Sequence, residues 1–309
     1  MTGVSSSAAL LDSLNEALAQ LLNYNPGPYD PVSGTEPLES LVSQCAALAQ
    51  NALPPPPIRT IHHFACTGGT LISKLIAAMP NTVMLSEIDP LSNLMIGEGR
   101  NPFFAPTDLI YGARVALRSI SDQLAAQMFQ ASLSVLHNHL REAGQHLVIR
   151  DHSHSHFCTE INALSRPSLR SLVQEVAPIR SVITVRHPLD SFLSLDRNGW
   201  RHFSPFTLDE YARRYRAFLQ AHGDVMIVHY EDLVESPEEQ LERICLELDL
   251  PYAPGSESLL PVVSMSGDSG RKSTTIGRRA RLEISDNVRF QFSDNPIYEQ
   301  LCNDLGYVK

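Results

Sequence analysis

Residues 58–79 read IRTIHHFACTGGTLISKLIAAM, and the fold is decided by how this run divides. Residues 58–64 form a β-type run. A turn follows through Cys66, Thr67, Gly68, Gly69 and Thr70. Leu71, Leu75 and Met79 then make one helical stripe, with Ile72 and Ile76 beside it. A strand, a Gly/Thr turn and a helix form the geometry that binds a phosphate. Glycines let the backbone approach an anion closely, and the first N–H groups of a helix have no internal partner. Those groups and the positive end of the helix dipole face the anion. Thr67 and Thr70 add hydroxyl donors. The same residues also suit an ordinary tight connection between strand and helix. The Walker pattern G-x-x-x-x-G-K-[ST] is absent, which weakens any reading as an ATPase or GTPase. The first lysine, Lys74, lies a full turn into the helix and reads as a solvated charge.

Working outward, short apolar runs alternate with helical patterns. Strands are predicted at 83–85, 146–150, 181–186 and 224–229. Helices are predicted over 108–143 in two pieces, over 168–177, after Arg186, over 207–221, over 237–248 and near 295–305. The sequence S-P-E-E at 236–239 supplies a cap, a first-turn proline and acids for the dipole. Residues 249–294 read as irregular. This alternation predicts an α/β fold: a doubly wound parallel sheet with helices on both faces. Before it, residues 8–23 carry leucines at helical spacing, 25–37 form a turn-rich linker, and 38–48 suggest a second helix. Pro54, Pro55, Pro56 and Pro57 make a stiff approach to the first strand. The expected organisation is therefore a helical extension and Pro-rich linker at 1–57 and an α/β domain at 58–309. Residues 1–50 are a candidate docking segment for a partner.

Composition narrows the class. The chain has 309 residues, 43% hydrophobic and 19% charged, which suits a packed core rather than disorder. A net charge of −10 argues against nucleic-acid binding. The five cysteines are widely spaced with no C-x-x-C pair, which points to reduced thiols and a cytoplasmic setting. No signal peptide is read, and no run of ~18 apolar residues predicts a membrane span.

In open parallel sheets ligands bind beyond the carboxyl ends of the strands. Here a polar cluster follows nearly every predicted strand: Glu87; Arg150, Asp151 and His152; Arg186 and His187; Tyr230, Glu231 and Asp232. A helix starting near Pro188 puts Ser194 about two turns in, where it and Arg186 can hold one phosphate. His152, His154 and His156 alternate, and would share one face if the strand continued. A metal site on so short a run is the weaker reading. One histidine as general base is the stronger, with the other two solvated or capping. Residues 267–281 carry five cations in a Gly/Ser-rich stretch, either a solvated basic loop or a lid over a polyanion. Phe103, Phe104, Trp200, Phe203 and Phe206 fall in loops and could line an apolar pocket or belong to the core.

In this order the motifs resemble the P-loop sulfotransferase superfamily over residues 58–280. The likeness rests on FACTGGT, VIRDH, VRHPLDSFLS and the run from YEDL to LERICLEL. It implies 3′-phosphoadenosine-5′-phosphosulfate (PAPS) as donor, 3′-phosphoadenosine-5′-phosphate (PAP) as product, a hydroxyl or amine acceptor, and no metal. Thr67, Gly68, Gly69 and Thr70, flanked by Cys66 and Leu71, match the loop that cradles the 5′-phosphosulfate. Arg186 and Ser194 match the pair that holds the 3′-phosphate. Gly270, Arg271 and Lys272 loosely match a basic loop that closes over the nucleotide. His152 falls where one branch places its catalytic base and Glu87 where another does; His152 is preferred, because the adjoining strand motif matches too. Residues 90–145 become an acceptor-side insertion. The family usually has Lys or Arg where this chain has Cys66, so Arg150, Lys74 or Arg271 must supply that charge, or the protein is slow or inactive. Cys66 near a helix N-terminus could also be a low-pKa thiol. A nucleotide-binding protein without turnover, or a nucleotide-dependent kinase, stays open as an alternative. So does the acceptor: a glycan, a lipid, a peptide tyrosine or a small phenol.

Overall fold

The computed structural model describes residues 55–308 apart from 95, 97–100, 268–275 and 279, together with six positions nearer the N-terminus. The chain divides into two compact units, Met1–Pro54 and Pro55–Lys309. In the first, residues 15, 16, 18 and 19 are helical; nearly all the rest of the expected extension, and so the candidate docking segment, lies outside the described residues.

The second unit is built on five parallel strands in the order β2-β3-β1-β4-β5. These are β1 (Ile58–His63), β2 (Thr82–Ile88), β3 (His146–Asp151), β4 (Ile179–Val185) and β5 (Met226–His229). Parallel neighbours need crossovers, and helices provide them. After β1 comes α1 (Gly69–Ala77). Between β2 and β3 lie α2 (Leu109–Val115) and α3 (Asp122–Glu142). Between β3 and β4 lie α4 (Ser153–Phe157) and α5 (Leu169–Gln174). Between β4 and β5 lie α6 (Pro188–Arg197) and α7 (Leu208–Ala221). The chain ends with α8 (Tyr230–Glu235), α9 (Pro237–Glu247), α10 (Asp286–Ser293) and α11 (Pro296–Asp304).

Every residue of β1 is buried, as a central strand covered on both faces requires. On one face Ile61 packs with Leu71, Ile72 and Leu75 of α1 and with Leu241 and Ile244 of α9. On the other, Ile58 meets Leu133 and Leu140 of α3 and Leu169 of α5. Just beyond the strand, Phe64 enters the cluster formed by Tyr211, Tyr215 and Phe218 of α7, its ring stacked 4.5 Å from that of Tyr215. Each such side chain contributes about 1.5–3 kcal/mol on burial. Helix starts are fixed locally: Asp108, Ser121, Ser168, Thr207 and Asn295 each accept a hydrogen bond from a first-turn N–H. The α1 helix begins at Gly68 with no such side-chain cap.

Four expectations are corrected. The second strand is longer than 83–85, and its register shifts between Leu85 and Ile88 where Glu87 adopts φ 59°. Residues 152–156 do not continue a strand: β3 stops at Asp151 and α4 takes over, so the three histidines share no strand face. A helix, α10, lies within the stretch read as irregular. Lys74 is not solvated; it is 8% exposed. Among the described residues no helix is long and apolar enough to cross a membrane.

Candidate active site

The carboxyl ends of the strands open onto one cleft of about 830 Å3. The turn after β1 forms its floor. Thr67 donates its hydroxyl to Phe64 O at 2.8 Å, and its N–H reaches the same carbonyl at 3.3 Å. This closes the turn and buries Thr67 completely. Gly68 then takes φ 99°, and a Cβ there would meet Tyr230 Cδ2 at 2.6 Å. A Cβ on Gly69 would sit 2.3 Å from the His63 ring. Both positions therefore require glycine. The N–H groups of Gly69 and Thr70 head α1 with no carbonyl a turn behind them, and no side chain caps them. Both residues line the cleft, and N–H groups so placed suit an anion.

Arg150, on β3, lies along one edge of this turn and is 3% exposed. Its Nε donates to His63 Nε2 at 3.1 Å, its Nη1 to Ser86 Oγ at 3.2 Å and its Nη2 to Thr70 Oγ1 at 3.1 Å. Nη2 also pairs with Glu87 Oε1 at 2.5 Å. Burial, and next the Arg150 charge, hold His63 well below the usual imidazole range. Its Nε2 is thus a free lone pair for Arg150, while Nδ1–H faces Phe64 O at 3.4 Å.

The bulge in β2 turns Glu87 toward the same spot. Burial pushes its carboxyl up to about 7, Arg150 opposing and the Asp151 charge assisting. The ion pair and the raised value pull in opposite directions. Burial wins, because Oε2 has no hydrogen-bond partner among the described residues. That oxygen lies 3.7 Å from His152 Nε2. Burial lowers the His152 imidazole as well, with Asp89 and Asp151 opposing, so it is neutral near pH 7 and able to accept a proton. The two candidate bases stand side by side.

On the opposite edge, Arg186 donates to Ser194 Oγ at 3.3 Å and lies over the Tyr230 ring at 5.0 Å. Ser194 in turn donates to Asp190 O at 2.7 Å.

A model described as "Sulfotransferase family" matches residues 64–254. The chain belongs to this family. Three solved sulfotransferase structures are similar. The sulfotransferase domain of the Synechococcus PCC 7002 olefin synthase is 18% identical, with TM-score 0.47, covering 83% of this chain and 96% of its own. The sulfotransferase domain from the curacin biosynthetic pathway is 14% identical, with TM-score 0.48, covering 83% and 99%. Mouse sulfotransferase SULT7A1, complexed with PAP, is 11% identical, with TM-score 0.37, covering 81% and 83%. No curated protein matches the chain.

In this family member, Cys66, Gly68, Gly69, Thr70, Leu71, Glu87, Arg150, His152, Arg186 and Ser194 all line the cleft. Thr67 does not; it staples the turn from beneath. Gly270, Arg271 and Lys272 lie outside the described residues. Cys66 is no low-pKa thiol: burial pushes it up to about 12, with Arg186 and the Asn198 side chain opposing. It also adopts φ 64°, which disfavours any side chain. His154 is neither solvated nor capping. Its Nε2 meets His202 Nδ1 at 2.8 Å, its ring meets Trp200 edge-on, and burial drives it down to about 3. His156 is buried against Ala163 O. Of the loop aromatics, Trp200 lines the cleft, Phe203 joins the core and Phe104 is exposed.

Sequence reasoning missed His63 and His202 as components of the site, and left Trp200 open between a pocket and the core. His63 carried one usable signal: it directly precedes the turn, on the strand face opposite His62.

Proposed function

We propose that this family member moves a sulfuryl group from PAPS to a hydroxyl or amine acceptor. The observation that carries the reading is the uncapped start of α1 behind two obligatory glycines, with a buried arginine at its edge. These residues fit the donor. Gly68, Gly69, Thr70 and Leu71 would hold its 5′-phosphosulfate, and Arg186 with Ser194 its 3′-phosphate. PAPS supplies a sulfuryl group activated by a phosphate leaving group. The chain supplies alignment, charge and a base. Cys66 is a neutral thiol where a cation is usual, so Arg150 stands in for that charge from the side of β3. His152 takes the proton of the acceptor, with Glu87 next to it as the second candidate. The part of the cleft near Trp200 and His202 receives the acceptor. The four described cysteines are free thiols, which suits a cytoplasmic setting.

Calorimetric titration with PAP, compared with ATP and AMP, tests the donor assignment. Tight binding of PAP alone is expected. Preference for ATP, or no binding of any of the three, overturns it. A second reading, nucleotide binding without turnover, draws on the missing cation at Cys66. It predicts PAP binding with no sulfuryl transfer to any of a broad acceptor panel.

A further inference from the structure

Behind the cleft, and contributing no residue to it, lies a second cluster of ligating groups. His62 on β1, Asp151 at the end of β3 and His222 just after α7 are 0%, 5% and 1% exposed. One donor atom from each lies within 4.8 Å of the other two. The arrangement on each residue suits a ligand. His222 has Nδ1 hydrogen-bonded to Phe218 O at 2.8 Å, which leaves Nε2 as the unprotonated atom. That Nε2 is buried with no hydrogen-bond partner among the described residues. An orphaned nitrogen in a core is costly unless something coordinates it. His62 Nδ1 lies 2.8 Å from Asp151 Oδ2, and its Nε2 lies 2.9 Å from Thr60 Oγ1. Ser153 donates to the same Asp151 oxygen at 2.7 Å. All three residues therefore have outer partners that fix their orientation, as metal ligands usually do.

We propose that His62, Asp151 and His222 form a buried site for a divalent transition ion of the zinc class. Two imidazoles and one carboxylate are the donor set such ions prefer. On binding, the ion takes the place of the proton between His62 Nδ1 and Asp151 Oδ2, and that proton passes to His62 Nε2, which then donates to Thr60 Oγ1, so no imidazolate is formed. A cavity of about 210 Å3 is lined by His222 together with Ile183, Leu219 and Asp304. The role is structural. The ion ties the end of α7 to β1 and β3, next in sequence to Arg150 and His152, and stiffens the wall of the cleft. The site is independent of the proposed transfer reaction, since none of its three ligands lines that cleft.

The test uses the full chain, stripped with a chelator and titrated with Zn2+, then with Co2+ as a spectroscopic probe. Saturation at one equivalent is expected, with imidazole-type cobalt absorption and a higher melting temperature. His222→Gln and His62→Gln should each abolish the saturable equivalent, while His202→Gln should keep it. The last variant guards against binding at the His154–His202 pair. Absence of a saturable equivalent in the stripped wild-type chain overturns the proposal. So does undiminished binding in His222→Gln or His62→Gln, which would place the ion on other histidines. If one of these two variants fails to fold, the other decides; if both fail, a wild-type cobalt spectrum without imidazole character overturns the site.

Discussion

Arg59 and Arg150 are the same residue type on adjacent strands, two register steps apart, and almost equally buried at 2% and 3% exposure. Their partners differ in kind. Arg59 donates mainly to backbone: Leu248 O at 3.0 Å, Pro57 O at 2.8 Å and Asp249 O at 2.8 Å, with the Asp249 carboxylate at 3.3 Å. Those carbonyls are fixed by the fold and cannot be exchanged for a ligand. Arg150 donates to side chains, those of His63, Ser86, Thr70 and Glu87, at the edge of the cleft. Side chains rotate, and one of them, Glu87, can take up a proton near neutrality. A buried arginine locked to carbonyls ties elements together. One held by side chains at the edge of a cleft keeps its charge available to whatever enters.

The largest expected effect separates the two. Arg150→Met should lower turnover by ~10²–10³, the usual cost of removing a donor to developing charge. Its stability should change little, because His63 is already neutral and Glu87 neutralises itself by protonation. Arg59→Met should do the reverse. It leaves one buried and two partly buried carbonyls without this donor and should cost about 3 kcal/mol in chemical denaturation. PAP affinity of its folded fraction should match the wild type. If Arg150→Met unfolds the chain, or Arg59→Met removes turnover at full stability, the distinction fails.

The sheet was legible because its strands are apolar and β-branched runs with clear stops; residues 147–149 and 181–185 are buried on both faces. Helix starts were legible through local caps such as Thr207 and Asn295. The turn after β1, Arg150 and the Arg186–Ser194 pair were singled out by their place at the carboxyl ends of strands and by the order of the motifs, since each alone also suits an ordinary connection or a surface pair. What stayed hidden depends on tertiary context. The positive φ of Glu87 comes from a register shift that no local pattern announces. H-x-H-x-H has the period of a strand, yet the chain turns into a helix at Ser153. Lys74 looks like any helix charge until α1 is packed into the core. The His62–Asp151–His222 cluster joins residues up to 160 positions apart, so sequence spacing carries no trace of it.

A third, half-buried guanidinium tests whether the comparison extends across the cleft. Arg186 is held by Ser194 and the Tyr230 face rather than by carbonyls. It should therefore behave like Arg150 in folding but act on binding rather than chemistry. Arg186→Ala is expected to weaken PAP roughly 10- to 100-fold, which is about 1.4–2.7 kcal/mol, in calorimetric titration. AMP, which lacks the 3′-phosphate, should lose far less. Equal losses for the two nucleotides would remove Arg186 from the 3′-phosphate and return it to a general electrostatic role.

The smallest effect tests the link between Arg150 and Glu87. Burial lifts the Glu87 carboxyl from its ordinary 4.5 to about 7, although Arg150 stands 2.5 Å away. Between those values the folded chain binds more protons at this group than the unfolded chain does. The stability it contributes is thus fully present below about 4.5 and is lost as pH rises through about 7. Gln imitates the neutral acid. Glu87→Gln should accordingly melt close to the wild type at about pH 5 and a few degrees above it at about pH 8. If Glu87 shares the base role with His152, the same variant also loses the part of the rate that grows as pH passes about 7. A variant that melts lower than wild type at the higher pH would mean that the Arg150 pair outweighs burial. Arg150 would then be locked by a fixed ion pair, much as Arg59 is locked by carbonyls, and the contrast between the two arginines would narrow.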